Sequence, residues 1–302
     1  MIAGPSRARR LFDGWSANLF QMMLGVTQQI ALVPVFLHFW SSEMLAAWLV
    51  LYAAGNLPLI ADAGLQFRAI NRYLSFRSIA DCDGRTASFY AAMLRIYLGL
   101  LGATAILLLI GTLLFRPSSV LGFENVPYFD IAFVVATAGA LAALPSNAVS
   151  ALYRARGLYG RAVRVQNWAM AASQLGQLVA IVTTGSLVAV AVAYVTPTLL
   201  ATVWLLAIDA PRRFPFLRKL RARHSWRWTI GQFARAAPFA VAGVTELALV
   251  NLPVLMVSAL VADRTAVAQW GLSRIAAGLL RMLCMQAMLP LAAELGEDHA
   301  LG

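Results

Sequence analysis

Two arginines inside an apolar stretch are the residues of this sequence whose type and spacing best suit chemistry. Arg274 and Arg281 are seven residues apart within residues 266–290, a spacing that places both on one face of a helix. A guanidinium matches a phosphate with two parallel hydrogen bonds. One interpretation is therefore that the pair faces a cavity and contacts an anionic group such as a diphosphate.

The alternative interpretation of this pair is an ion pair between helices. A charged side chain inside a membrane needs a partner or a wet cavity, and Glu246 and Asn251 lie near the middle of the preceding apolar block. Arg95 is a third embedded arginine, but it lies about two turns from the end of its block, where its side chain can extend to the surface. The sequence leaves both interpretations open.

Uncharged polar side chains also lie inside the apolar blocks, and their amides suit either a neighbouring helix or the hydroxyls of a sugar. They are Asn18, Gln21, Gln28, Gln29, Asn56, Asn147, Asn167, Gln174 and Gln177. The sequence contains no Gly-rich phosphate loop, nucleophile elbow or His-Glu metal motif. Its three histidines and two cysteines have no metal-ligand spacing. We therefore expect no enzyme activity, no metal and no cofactor.

The elements that must position these side chains are long apolar blocks. Of the 302 residues, 61% are hydrophobic and 12% are charged, against about 25% charged in a soluble domain. Such blocks, separated by short arginine-rich connections, predict an all-α integral membrane protein with about eight transmembrane helices. The predicted spans are 14–37, 43–65, 88–115, 127–150, 162–184, 187–208, 232–261 and 266–290.

The order of these blocks predicts two unequal parts. The predicted units are a six-helix lobe over 1–210, a basic linker over 211–231 and the first hairpin of a second lobe over 232–302. Gly185 and Ser186 alone separate the fifth and sixth spans, which predicts a tight hairpin. The linker region interleaves arginines with aromatic residues, which favours an interfacial segment on anionic lipid over a solvated linker. The aromatic residues are Phe214, Phe216, Trp226 and Trp228.

The net charge of +11 is distributed unevenly between the connections. Eighteen of the 24 lysines and arginines fall in the N-terminal tail and in the connections at 66–87, 151–164 and 209–228. The alternate connections hold only Arg116 and Arg264. This bias predicts that both termini and the basic connections are cytoplasmic. Because the arginines lie between apolar blocks, we expect no nucleic acid as a partner.

A short sequence similarity between two apolar blocks favours a repeat of helix pairs, although chance recurrence of proline is an alternative. Leu252-Pro253-Val254 in the seventh block echoes Leu32-Val33-Pro34 in the first. Other short strings are equally distinctive. They are Phe36-Leu37, Trp48-Leu49-Val50-Leu51, Asp62-Ala63-Gly64-Leu65, Tyr153-Arg154-Ala155-Arg156-Gly157, and the run from Ala268 through Arg274 to Pro290 and Glu294.

Together these strings resemble polysaccharide flippases, the O-antigen and teichoic-acid exporters of the multidrug/oligosaccharidyl-lipid/polysaccharide superfamily. The resemblance implies transport of an isoprenoid-diphosphate-linked oligosaccharide across a bacterial inner membrane, with Arg274 and Arg281 contacting the diphosphate. It implies membrane lipid and polysaccharide-assembly proteins as partners. The Asp62-to-Gly64 string resembles the turn that ends the second helix in that family.

The family usually has about twelve to fourteen helices in two lobes, so the resemblance implies that this sequence is truncated at its C-terminus. Completion by oligomerisation is an alternative. Two other functions are also open. One is a cation-coupled multidrug exporter of the same superfamily, in which Glu246 would be the embedded carboxylate. The other is a membrane scaffold without transport activity.

Overall fold

The computed structural model describes residues 7–30, 32–57, 62, 64–76, 79–219, 225–274, 276–278 and 280. The predicted site residues Arg281 and Pro290 lie outside this part of the chain, and so does the side chain of Glu246. The described residues are all-helical and contain no strand.

The first six α-helices are α1 (Arg7–Ile30), α2 (Leu32–Phe39), α3 (Ser42–Asn56), α4 (Leu65–Ser75), α5 (Ile79–Cys82) and α6 (Arg85–Leu114). The next are α7 (Pro117–Leu121), α8 (Phe129–Ala143), α9 (Ser146–Ala155), α10 (Tyr159–Thr184), α11 (Leu187–Val203), α12 (Ala210–Arg213) and α13 (Trp226–Leu260). A π-helical turn, Trp204–Asp209, continues α11, and a 3-10 turn, Pro215–Lys219, follows α12. Residues 264–274 form α14.

Three helical stretches of the described chain are long and apolar enough to cross a membrane. They are Arg85–Leu114, Phe129–Ala155 and Leu187–Arg213, and they coincide with the predicted third, fourth and sixth spans. The described residues therefore give three candidate spans where the sequence predicted about eight. The second predicted span, 43–65, is one of those that differ, because α3 is Ser42–Asn56 and has 15 residues, fewer than the roughly 20 that cross a bilayer.

Contacts at one end of the helices join three of the arginine-rich connections. Arg156 donates to the Asp81 carboxylate at 2.6 and 3.1 Å and to the carbonyl oxygen of Tyr73 at 3.1 Å. Arg161 donates to both carboxylate oxygens of Asp209 at 2.6 and 2.9 Å. We call this the arginine-rich end.

Contacts at the arginine-poor end join the alternate connections. The indole nitrogen of Trp40 donates to the carbonyl oxygen of Gly185 at 2.7 Å, which brings the end of α2 to the α10–α11 hairpin. Arg264 donates to the carbonyl oxygens of Leu121 at 3.3 Å and Ser258 at 2.9 Å. The connections rich in arginine thus meet at one end of the structure and those poor in arginine meet at the other, as the sequence predicted. It also confirms the predicted hairpin, since α10 ends at Thr184 and α11 begins at Leu187.

The parallel pair of α1 and α10 is held by side-chain amides. The Asn167 amide donates to the Ala17 carbonyl at 2.7 Å, and the Gln174 amide donates to the Leu24 carbonyl at 2.8 Å. The second contact lies seven residues after the first on both helices, so the two helices run in the same direction. The predicted role of amides between helices is confirmed for Asn167 and Gln174.

The buried apolar side chains form two separate clusters. The first core lies towards the arginine-poor end and includes Trp40, Trp48, Phe123 and Phe129. The second core lies towards the arginine-rich end and includes Tyr73, Phe89, Tyr97 and Tyr153. The prediction of an interfacial linker is wrong for one of its aromatic residues. Phe214 is buried in the second core, where its ring centroid lies 5.2 Å from that of Tyr153.

Candidate functional site

A cavity of about 270 Å³ with both polar and apolar lining lies among α1, α3, α9, α10 and α11. Two amides line it, from Gln28 and Gln166. Six hydroxyl groups also line it, from Tyr52, Ser146, Ser173, Tyr194, Thr198 and Thr202. The remaining lining is apolar, so the described wall contains no acid, base or thiol. Every polar group in it is uncharged and can accept a hydrogen bond as well as donate one.

The cavity lies between the two cores. On α11, Ala191 belongs to the first core, and the lining residues follow within 194–205. On the antiparallel helix α10 the order is reversed. Ala162 belongs to the second core, the lining residues lie within 166–173, and Ile181 belongs to the first core. Polar groups are therefore concentrated at mid-height, with apolar packing on both sides.

Helical spacing explains why these side chains converge. On α11, Tyr194, Thr198 and Thr202 are separated by four residues, so they lie on one face. On α10, Gln166 and Ser173 are separated by seven residues and share a face in the same way. Ser173 also donates to the Tyr194 carbonyl at 2.9 Å, which ties the two helices together at the cavity wall.

Two tyrosines form the aromatic part of the wall. The rings of Tyr52 and Tyr194 lie 5.7 Å apart between centroids, and their hydroxyl groups share a hydrogen bond. Trp48 packs edge-on against Tyr194 at 5.8 Å, and its own ring belongs to the first core. Packing against Trp48 therefore fixes the orientation of the tyrosine pair.

Arg274 lies near this aromatic wall. It is half-buried and close enough to Tyr52 to interact with it electrostatically. The contact one turn earlier explains the placement, because a Cβ on Gly271 would come within 2.6 Å of Leu49 Cδ1. Close packing of α14 on α3 thus brings Arg274 to the helix that carries Tyr52, a neighbour that the sequence did not predict.

The other predicted site residues lie elsewhere. The Arg95 guanidinium lies 5.0 Å from the centroid of the Trp226 ring, near the arginine-rich end, as expected for an anchoring role. Asn251 is buried in α13 with 2% exposure. Among the predicted embedded amides whose side chains the structure describes, Gln28 lines the cavity.

The predicted Asp62-to-Gly64 turn holds several helices together. Gly64 has a φ of 72°, and a Cβ there would come within 2.6 Å of the Ala240 nitrogen in α13. The Asp62 carboxylate accepts hydrogen bonds from the Tyr97 hydroxyl and the Asn147 side chain. This turn therefore connects α6, α9 and α13.

Four further predicted motif residues lie in helices or in the connections between them. Pro34 lies in the first turn of α2, where a proline is tolerated, and Pro253 lies inside α13. The Arg154 guanidinium lies 4.9 Å from the ring centroid of Tyr159. Gly157 has a φ of 71° in the connection before α10.

Sequence reasoning missed the buried carboxylate Asp209, which is 3% exposed. Its partners are Arg161 and the hydroxyl of Tyr153. The hydrogen bonds to Asp209 raise the pKa of Arg161. The π-helical turn that ends at Asp209 changes the register of the helix after Thr202, and such turns often occur at functional sites. An acidic residue at the end of an apolar block was the available signal.

Comparisons of the chain with protein-family models, curated proteins and solved structures found no match.

Proposed function

We propose that this chain is a membrane protein with about eight spans that moves a lipid-linked saccharide from the inner to the outer leaflet of a bacterial inner membrane. The observation that carries the proposal is a cavity between two apolar cores whose lining includes uncharged hydroxyl and amide groups. In a bilayer, polar groups at mid-height are costly unless they serve one another or a substrate. Transporters commonly bind their substrates at this height.

The chemistry of the wall favours a saccharide as the transported group. Each sugar hydroxyl donates and accepts hydrogen bonds, and the hydroxyls of Tyr52, Thr198 and Thr202 can do the same. An organic cation would call for a carboxylate, and the described lining has none. A volume of about 270 Å³ is close to the lower limit of small-molecule sites, about 300 Å³, which suits one sugar ring.

The position of Arg274 favours a diphosphate as the link between sugar and lipid. A half-buried guanidinium beside Tyr52 can hold phosphate oxygens with two parallel hydrogen bonds. In this proposal the sugar enters the cavity, the diphosphate contacts Arg274, and the isoprenoid chain stays among the lipids.

Transport by the purified chain in liposomes tests this function. The probe is a fluorescent isoprenoid-diphosphate disaccharide whose arrival in the other leaflet is measured by chemical quenching. We expect Thr198→Val to slow this movement at least tenfold. The matched control is Thr196→Val on the same helix, because Thr196 does not line the cavity and its hydroxyl donates to the Val192 carbonyl oxygen within α11 at 2.8 Å.

Other results would replace the proposal. Equal movement of the probe in wild-type liposomes and protein-free liposomes would refute transport of this substrate. Proton-dependent efflux of a cationic dye that is lost in Glu246→Gln would instead indicate a multidrug exporter. Crosslinking to glycosyltransferases without movement of the probe would indicate a scaffold.

A further inference from the structure

Three arginines converge where α4 packs against α13, at the arginine-rich end. Arg68 and Arg72 are four residues apart on α4 and therefore lie on one face of the helix. Arg235 lies on α13. The charges of Arg235 and Arg72 both act on the Arg68 guanidinium. We call these three side chains the arginine triad.

The packing of α4 against α13 brings the triad together. The two helices approach closely where a Cβ on Gly64 would come within 2.6 Å of the Ala240 nitrogen. Arg68 lies about one turn after that contact on α4, and Arg235 lies just over one turn before it on α13. Ala236, next to Arg235, is buried in the second core. Helix packing therefore holds these arginines near one another despite their like charges.

Arg68 lies in surroundings that disfavour its positive charge. Its side chain is partly buried, and its Nε atom is buried and has no hydrogen-bond partner. Burial and the charges of Arg235 and Arg72 lower the pKa of Arg68. In the described part of the chain, no carboxylate forms an ion pair with the triad, and Asp81 and Asp209 at the same end pair with other arginines. An anion beside the triad would offset both the repulsion and the burial.

The outer face of α4 is apolar beside the triad. Phe67 is 53% exposed and Leu74 is 61% exposed, and their spacing of seven residues places them on one face. This face points away from the residues of α4 that are buried in the second core, which are Leu65, Ala69 and Tyr73. Exposed apolar side chains next to arginines are typical of a helix at a membrane surface, where lipid phosphates lie.

We propose that the arginine triad binds the phosphate group of an anionic glycerophospholipid. The inference rests on the membrane setting and orientation of the proposed function, which place the arginine-rich end at the cytoplasmic leaflet, where anionic lipids attract arginines. Guanidinium groups match phosphate oxygens with parallel hydrogen bonds, and the terminal nitrogens of Arg68 would donate them. The acyl chains of the same lipid would lie along Phe67 and Leu74. A free phosphate ion would match the charges but not this apolar face.

Lipid binding by the purified chain tests the proposal. The delipidated chain in detergent is titrated with phosphatidylglycerol or phosphatidylcholine, and bound lipid is counted by native mass spectrometry. We expect the wild type to bind one phosphatidylglycerol at least fivefold more tightly than phosphatidylcholine, whose net charge is zero. The double variant Arg68→Gln with Arg235→Gln should lower the affinity for this phosphatidylglycerol at least tenfold.

A matched double variant removes two other arginines from the same end. Arg212 and Arg218 are exposed and lie outside the triad, so Arg212→Gln with Arg218→Gln makes the same change in net charge. It should leave the affinity for phosphatidylglycerol within twofold of the wild type. Equal losses in the two double variants would overturn the proposal, because attraction by the net charge would then explain the binding.

Thermal unfolding separates lipid binding from a purely structural role of Arg68. Because the charges of the triad repel one another, Arg68→Gln should melt at or above the wild-type temperature in lipid-free detergent. Phosphatidylglycerol should raise the melting temperature of the wild type but not that of Arg68→Gln. Arg235→Gln, which replaces an exposed side chain, should lose the same stabilisation. Full stabilisation of both variants by the lipid would overturn the proposal.

Further outcomes identify a different occupant. Stabilisation by inorganic phosphate equal to that by phosphatidylglycerol at the same concentration would assign the triad to a free ion and overturn the lipid site. An isoprenoid diphosphate that displaces phosphatidylglycerol would assign the triad to the transported lipid instead. Because binding requires no transport, failure of the liposome assay with lipid binding intact would count against the flippase alone.

Discussion

Gly64 lies directly against the backbone of Ala240, so that a Cβ on Gly64 would come within 2.6 Å of the Ala240 nitrogen. Its φ of 72° lies in the region that residues other than glycine adopt at a cost of roughly 1–2 kcal/mol. Two independent requirements therefore select glycine at the turn before α4. The resemblance had singled out this residue, and the contact with α13 gives a physical reason for it.

The variant Gly64→Ala should lower the melting temperature of the detergent-solubilised chain by more than backbone strain alone explains. Gly185→Ala is the matched control, because Gly185 also has a positive φ, 60°, but open space around its Cβ. We expect Gly185→Ala to cost about 1 kcal/mol and Gly64→Ala to cost roughly 2–3 kcal/mol, since α13 must also shift. Equal shifts of the melting temperature in the two variants would show that the contact with Ala240 does not contribute to stability.

The pair of Asp209 and Arg161 should contribute more to stability than an exposed pair. In Asp209→Asn the Arg161 guanidinium, 34% exposed, loses its charged partner. We expect a loss of about 2 kcal/mol, below the roughly 3–5 kcal/mol of a fully buried pair. Asp83→Asn, whose partner Arg85 is 61% exposed, should cost under about 1 kcal/mol. Chemical denaturation in detergent compares the two variants, and similar losses would contradict the expectation.

The proposed threading predicts opposite accessibility for two cysteines. Cys82 is exposed at the arginine-rich end, and Ser119 is exposed at the arginine-poor end. With Cys284 replaced by serine, a membrane-impermeant maleimide should label Ser119→Cys in intact cells. Cys82 should be labelled only after the membrane is opened. Labelling of Cys82 in intact cells would refute the proposed orientation.

Arg274 and Arg95 should differ in their effect on transport. We expect Arg274→Lys to reduce movement of the liposome probe at least tenfold, because an ammonium lacks the bidentate geometry of guanidinium. Arg95→Lys should stay within twofold of the wild type, since a lysine also interacts with an aromatic ring such as Trp226. Insertion of each variant is checked by its yield in the membrane fraction. Loss of activity in Arg95→Lys alone would reverse the assignment.

Sequence reasoning succeeded where one local signal determines the structure. Only Gly185 and Ser186 separate two apolar blocks, so the connection between them must be a tight hairpin. Asn167 and Gln174 need partners inside an apolar block, and a second helix offers its carbonyl oxygens. The uneven distribution of arginines also anticipated which connections meet at each end.

Other features depend on packing that a single sequence does not reveal. A serine or threonine within a helix usually bonds to its own backbone, so the convergence of Ser173, Thr198 and Thr202 becomes visible only when α10 and α11 are placed together. The neighbourhood of Arg274 and Tyr52 likewise depends on how α14 crosses α3. The arginines around Phe214 predict a lipid surface for it, but its ring is buried in the second core.

The separation of the two cores has a mechanical consequence. Each end of the bundle has its own apolar core, and the hydroxyl and amide groups of the cavity lie between the two cores. Tilting one end relative to the other would therefore admit water mainly at mid-height, where hydroxyls and amides tolerate it. The parallel pair of α1 and α10, held together by Asn167 and Gln174, would resist such tilting.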